Sequence, residues 1–280
     1  MEKLLFGTAG IPISCSSRGG KTLDGVRFVR KLGLDAMELE FVRSVNLEEE
    51  KAREVGRAAK EENVILTCHA PYYINLNSKE RVKILQSIDR ILRSSRIAGL
   101  AGAKSVTFHS GFYVGMEKET VYQTIKKNIE GIVKTLRNEG NPVLLRPELT
   151  GKPTQFGSLE ELIRLSRDIE GVLPCIDFAH LYARSTGKMN DHEKFLGALE
   201  SIEKGLGKEA INNMHIHMSG IEYGPKGERN HVVLGESGFN WEEALRAFSD
   251  FDIRGVVISE SPNIEKDAMM MKRKYSDMLK

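Results

Sequence analysis

Eight times along this chain a short β-rich run is followed by a longer amphipathic stretch. The runs fall at 3–7, 35–41, 64–69, 104–109, 142–148, 172–177, 211–217 and 254–260. Helical patterns follow at about 22–32, 47–62, 78–101, 117–139, 158–169, 192–205, 240–249 and 265–279. In 78–101, for example, Val82, Leu85, Ile88, Leu92 and Ile97 recur at helical spacing. Strands that alternate with helices build a parallel sheet, because the helix returns the chain to the edge where the next strand starts. Eight such units predict closure into a single (β/α)8 barrel with parallel strands, the α/β TIM-barrel architecture; an open doubly wound sheet is the competing arrangement. The 280 residues are expected to form one barrel domain over 1–280, since such barrels take about 250 residues. Ser78 and Ser158 read as helix N-caps, and Gly33, Gly99, Gly102 and Gly140 as helix terminators.

Composition removes several alternatives. At 40% apolar residues the chain can bury a substantial core. It has no apolar run of about 18 residues, so no membrane span is expected. Its start, MEKLLFGTAGIPIS, reads as a first strand instead of a secretion signal. Cys15, Cys68 and Cys175 are odd in number and form no CxxC pair, which argues for a reducing, cytoplasmic setting and against a disulfide framework. A net charge of +2 is uninformative by itself.

The strand ends carry the chemistry. Six of them close on a metal-type ligand: His69, His109, Glu148, Asp177, His217 and Glu260. His180 and His231 sit in loops just beyond two strands, so five of the seven histidines fall at rim positions. His215 shares a strand face with His217 but lies deeper, and reads as an interior or supporting group. A lone histidine at a strand end is usually structural. Eight imidazoles and carboxylates on one rim are a ligand set for a hydrolytic zinc or manganese cluster. Several buried carboxylates there also demand cationic partners. Tyr72 and Tyr73 follow His69 in HAPYYINL, and either stack on bases or pack on the next helix. Rim loops also carry Arg18, Lys21, Arg43, Lys152, Arg184, Lys188, Lys226 and Arg229, which suit a phosphate-bearing polymer.

Taken in order, HAPYYINL, FHSG, Glu148 with its Thr-Gly loop through FGSLEEL, DFAH, HMSG, NHVVLGES and SESP make the chain resemble the endonuclease IV family of abasic-site endonucleases, within the xylose-isomerase-like TIM barrels. The resemblance spans nearly the whole chain and rests on the shared order of the motifs. It implies a zinc site of two or three ions, with manganese as an alternative. His69, His109 and Glu148 would hold one ion. Glu148 as a bridge, with Asp177, His217 and Glu260, would hold the second, and His180 and His231 the third. It further implies cleavage of duplex DNA 5′ to abasic sites by a monomer, with Glu148 and Glu260 catalytic and Tyr72, Tyr73, Arg43, Lys152, Arg184 and Arg229 on the DNA.

Two departures matter. The first loop reads Gly10-Ile-Pro-Ile-Ser-Cys-Ser-Ser-Arg-Gly-Gly where the family carries a His-Val-Ser-Ala-Ala-Gly-Gly type segment. Arg229 stands where the family has a carboxylate, with Glu228 one residue out of step. A third metal that is weak or absent is therefore expected, unless Glu228 replaces the missing ligand. Without that metal, Arg229 would hold the scissile phosphate or the leaving oxygen as a fixed charge. The competing reading is a sugar isomerase or epimerase on the same barrel, which would use one metal on Glu148, Asp177, His217 and Glu260.

Overall fold

In the computed structural model, which describes residues 2–280, the strands are β1 (Leu4–Ala9), β2 (Ala36–Glu40), β3 (Ile65–His69), β4 (Ser105–Phe108), β5 (Leu144–Pro147), β6 (Cys175–Asp177), β7 (Met214–Met218), β8 (Gly220–Gly224), β9 (Gly227–Val232) and β10 (Gly255–Ser259). The helices are α1 (Ile13–Ser16), α2 (Thr22–Lys31), α3 (Glu49–Glu61), α4 (Arg81–Leu100), α5 (Lys118–Asn138), α6 (Leu159–Asp168), α7 (Phe178–Arg184), α8 (His192–Leu206), α9 (Lys208–Ile211), α10 (Trp241–Asp250) and α11 (Glu265–Met278). Eight strands pair in parallel in the order β5-β4-β3-β2-β1-β10-β7-β6. The two ends of that sheet meet through parallel bridges Leu145–Val172 and Glu148–Cys175, which bring the sheet round into a barrel. Pro174, which has no N–H to donate, stands just before β6, and the strand expected over 172–177 is an ordered ladder only from Cys175.

The eight expected strands and eight expected helices are all present, with ends shifted by a few residues. Ser158 caps α6 in a reciprocal capping box with Glu161. Ser78 does not cap: α4 begins at Arg81, and Ser78 accepts from the Glu80 amide instead. Gly33, Gly102 and Gly140 take the left-handed conformation just past helix ends, whereas Gly99 lies inside α4, pressed against Asn141.

Besides the one-turn helices α1 and α9, two features were not expected. The D-x-x-H segment is the start of helix α7, because the Asp177 carboxylate accepts from the His180 amide at 2.7 Å and so caps that helix. The stretch after β7 is an antiparallel hairpin, β8–β9, turning through Gly224-Pro225-Lys226-Gly227.

Alternation divides the barrel strands into two faces. Outward residues such as Met37, Leu66, Val106 and Ile216 join the large core under the helices. Inside, Ala36, Val256 and Ile258 form a small apolar cluster with Leu5, Ala9 and Ile65. The rest of the interior is polar: Glu38, Thr67, Ser105, Thr107, Arg146 and His215 are all buried. Arg146 spends its guanidinium on the carbonyls of Pro174 and Asn213, at 2.8 and 2.6 Å. No helix among the described residues is long and apolar enough to cross a membrane. The three cysteines are free and buried.

Candidate metal centre

Glu148, one residue past β5, stands at the centre of the rim. Its Oε2 lies 3.2 Å from His69 Nε2 and 3.3 Å from His109 Nε2. Its Oε1 lies 3.3 Å from both His217 Nδ1 and His180 Nδ1. One carboxylate thus faces two pairs of imidazoles, one pair per oxygen. Glu260 Oε1 approaches His217 Nδ1 at 3.4 Å, and its Oε2 lies 4.0 Å from His231 Nδ1. All eight rim residues singled out in the sequence meet here. Their donor atoms gather into three groups: His69–His109–Glu148, Glu148–Asp177–His217–Glu260, and Asp177–His180–His231.

The donor set fits divalent cations. A metal-binding imidazole usually anchors one nitrogen and offers the other. His69 Nδ1 lies 2.6 Å from the Ala70 carbonyl, His180 Nδ1 2.9 Å from the Leu149 carbonyl, and His231 Nδ1 3.4 Å from the Glu260 carbonyl. In each case Nε2 is left facing the cluster. His180 Nε2 and His231 Nε2 are 3.3 Å apart. Two donors on a tetrahedral zinc at about 2.0–2.1 Å sit about 3.3 Å from each other. Asp177 uses Oδ1 on the α7 cap, while its buried Oδ2 makes no hydrogen bond among the described residues, with His180 Nδ1 3.2 Å away.

Electrostatics tell the same story. Burial alone would raise the Glu148 pKa, but the facing His109 and His217 hold it well below the carboxylate range. Burial pushes Asp177 up to about 6 against the pull of His180. Burial also opposes charge on His69, yet Glu148, Glu40 and Glu38 raise it to about 10.

Two acidic residues here were not singled out from the sequence. Glu38 and Glu40 point inward from β2, and Glu40 groups with Glu38 and Glu260. Two glutamates at alternate positions of an otherwise apolar strand (AMELEF) were the available signal, because an inward charge needs a partner. Glu228, the replacement ligand weighed from the sequence, does reach the cluster. In the β8–β9 hairpin Glu222 pairs with Asn230 but Tyr223 pairs with Glu228, so Arg229 is an extra, bulged residue. Ile221 and Tyr223 share a face, and so therefore do their partners His231 and Glu228. Glu228 Oε2 lies 3.6 Å from His180 Nε2, and its amide donates to the Gly151 carbonyl at 3.0 Å. A side chain at Gly151 would collide with both Glu228 and the His180 ring.

The basic and aromatic expectations fare unevenly. The exposed Arg229 guanidinium packs over Gly224 of the opposite hairpin strand and makes no ion pair among the described residues. It is not at the His180–His231 pair, which corrects its expected role as a stand-in charge there; the bulge is the reason. Arg184 turns Nη1 inward to the carbonyls of Thr150, Lys152 and Gln155 and to Thr150 Oγ1. It ties the loop after β5 instead of facing outward as expected. Arg43 and Lys152 remain in rim loops, Arg43 exposed beside Arg90 and Arg93. The Tyr72 ring packs 5.2 Å from the His69 ring, while Tyr73 is 64% exposed.

The metal-free protein should lose stability as pH rises. Burial, helped by Glu38 and Glu260 against His69, pushes Glu40 up to about 8 from its ordinary 4.5. Above pH 4.5 the unfolded chain has released that proton and the folded chain keeps it until about 8, so stability falls across this window. His69 adds to the trend: its contribution is full below pH 6.5 and lost as pH rises through about 10. With chelator present, the melting temperature should drop by more than about 5 °C between pH 6 and pH 9. The drop should shrink in Glu40→Gln. A flat profile would mean that these groups titrate normally.

Residues 26–275 match the sequence family described as xylose isomerase-like TIM barrel. An uncharacterized protein of Methanocaldococcus jannaschii is 46% identical over 275 residues, covering 98% of each chain. A protein named probable endonuclease 4 from Bacillus subtilis is 31% identical over 196 residues, 67% of this chain and 64% of its own. Among solved structures, endonuclease IV from Thermus thermophilus superposes with a TM-score of 0.70 at 21% identity, covering 97% of this chain and 98% of its own. A D-tagatose 3-epimerase-like protein gives 0.69 at 18% identity and covers 97% of both. At those identities the two structures show the fold and do not choose between chemistries.

Proposed function

The chain belongs to the xylose isomerase-like TIM barrel family, and from that premise we propose that it is a metal-dependent endonuclease that cuts duplex DNA 5′ to abasic sites. The observation that carries this reading is Glu148, whose Oε2 faces His69 and His109 and whose Oε1 faces His217. A single tetrahedral or octahedral ion cannot use eight such ligands. The isomerase reading needs only Glu148, Asp177, His217 and Glu260. It leaves His69, His109, His180 and His231 without a task, although three of these have one nitrogen anchored and the other aimed inward. The Bacillus subtilis relative supports the nuclease side.

His69, His109 and Glu148 would hold a first ion, and Glu148, Asp177, His217 and Glu260 a second. His180 and His231, with Glu228 or Asp177, would hold a third. Imidazole and carboxylate donors suit zinc, with manganese as the alternative. Divalent ions held there would supply Lewis acidity and a nucleophile from water at neutral pH. The protein's own groups do the rest. Glu260 lies between the second and third positions, where its carboxylate can accept a hydrogen bond from the attacking water. Water adds to phosphorus, the P–O3′ bond breaks, and the 3′ oxygen leaves with a proton. Tyr72, braced on His69, walls the mouth, and Tyr73 offers an exposed ring for stacking. Arg43 and Lys152 would contact backbone phosphates, and Arg184 would act through the loop it ties.

Three measurements test this. Protein purified without chelator should contain two or three zinc equivalents by elemental analysis. It should nick an abasic-site duplex to leave a 3′-hydroxyl and a 5′-deoxyribose phosphate. Binding should weaken with salt, each phosphate contact adding about 0.9 to the slope of log affinity against log salt. One tightly held metal, no uptake on added zinc and turnover of a ketose would replace this reading with the isomerase.

A further inference from the structure

Beneath the rim a chain of buried side chains crosses the barrel interior. Glu38 on β2 is fully buried. In the sheet order, β1 and β10 separate it from β7, so it reaches β7 across the barrel rather than along a neighbouring strand. Its Oε1 lies 2.8 Å from His217 Nε2 and its Oε2 3.0 Å from His215 Nε2. Both Nε2 atoms and both Glu38 oxygens are buried without a well-aligned hydrogen bond among the described residues, so these short approaches are what each has to satisfy it. His215 Nδ1 lies 3.1 Å from Ser105 Oγ on β4. The other nitrogen of His217, Nδ1, faces Glu148 and Glu260 at 3.3 and 3.4 Å.

Only one proton pattern lets a neutral His217 serve a cation at the rim. Nδ1 must carry the lone pair, so Nε2 must carry the hydrogen, and a buried N–H needs an acceptor. Glu38 Oε1, at 2.8 Å, is the carboxylate acceptor within reach. The same logic fixes the far end: His215 Nε2–H donates to Glu38 Oε2, so its Nδ1 accepts from the Ser105 hydroxyl. Each member holds the next, from Ser105 to the rim.

We infer that Glu38 is a positioning residue, whose buried carboxylate holds the Nε2–H of His217 and so presents Nδ1 to the rim metal, while His215 and Ser105 hold Glu38. The inference rests on the metal reading of the rim but not on any substrate. It also explains why a strand of the barrel wall carries a fully buried acid below the ring of expected ligands. Because His69, His180 and His231 anchor on backbone carbonyls, His217 is the one of these four whose anchor a point mutation can remove.

The test compares zinc affinity, by chelator competition, in wild type, Glu38→Ala and Glu38→Gln. Changing an outer partner of a metal-bound histidine costs about 10–100-fold in affinity, so Glu38→Ala should lose that much from one site, while Glu38→Gln should stay within about threefold. Glutamine keeps an acceptor for His217. Its amide can donate to His215, which then shifts its proton to Nδ1 and donates to Ser105 Oγ. Long-range proton–nitrogen spectra of zinc-loaded wild type give a second readout that needs no variant to fold. The His217 ring should carry its proton on Nε2 and its metal on Nδ1. Affinity of Glu38→Ala within about threefold of wild type, equal damage from glutamine and alanine, or a His217 bound through Nε2 would each overturn the inference. Wild-type protein that takes up no zinc would overturn the metal reading as well.

Discussion

Glu148→Gln is expected to bring cleavage of an abasic-site duplex to background and to remove more metal than any other single change at the rim. The reason is geometric. Glu148 Oε2 faces the His69–His109 pair and Oε1 faces His217, so one residue serves two positions. An amide offers one weak acceptor oxygen and turns an NH2 group toward the other donors. The loss of affinity should exceed the about 10–100-fold that changing an outer partner costs. The metal-free fold should survive, since the neighbouring imidazoles can shed protons and the residue lies at a strand end, where function and scaffold separate. Glu260→Gln should also abolish cleavage but release less metal, because of the three rim groups that contain histidine Glu260 joins one and Glu148 two. Elemental analysis, circular dichroism and a nicking assay on the same preparations check all of this. Near-normal nicking by Glu148→Gln would remove the bridge from the mechanism.

The barrel and six of the eight clustered rim residues could be read from strand ends in the sequence for one physical reason. A parallel strand buried on both faces has a period of two and an abrupt end, so a ligand at that end is placed by counting. Counting fails where the backbone breaks its period. Between His231 and Glu228 the chain inserts Arg229 as a bulge, and a three-residue spacing then lands on the same face. The turn Gly224-Pro225-Lys226-Gly227 was the available sign of a hairpin, but nothing in it marks where the bulge falls. Glu38 escaped for another reason. Its partners His215 and His217 lie across the barrel, and contacts of that kind follow from closure, not from local pattern. Arg184 shows the converse, since a rim position did not reveal that four loop acceptors would claim its guanidinium.

The bulge changes what the third position should do. Read by spacing alone, an arginine replaces a carboxylate, and a cation beside a divalent ion costs Coulomb energy. In the fold, Glu228 occupies the vacant role: its carboxylate lies 3.6 Å from His180 Nε2, the hydrogen bond to Gly151 pins its backbone, and Arg229 packs over Gly224. Glu228→Ala is therefore expected to lower zinc content from about three equivalents to about two, leaving His180 and His231 without their added acidic ligand. Glu228→Asp should recover only part of it, because the shorter side chain starts from the same bulged backbone. Arg229→Ala should leave metal content unchanged, and Arg229→Asp should not raise it, since that side chain projects from the bulge over Gly224. Metal analysis of the four variants, with melting curves to confirm folding, separates the two accounts. Loss of the third metal in Arg229→Ala, or a gain in Arg229→Asp, would show that position 229 and not Glu228 governs the site.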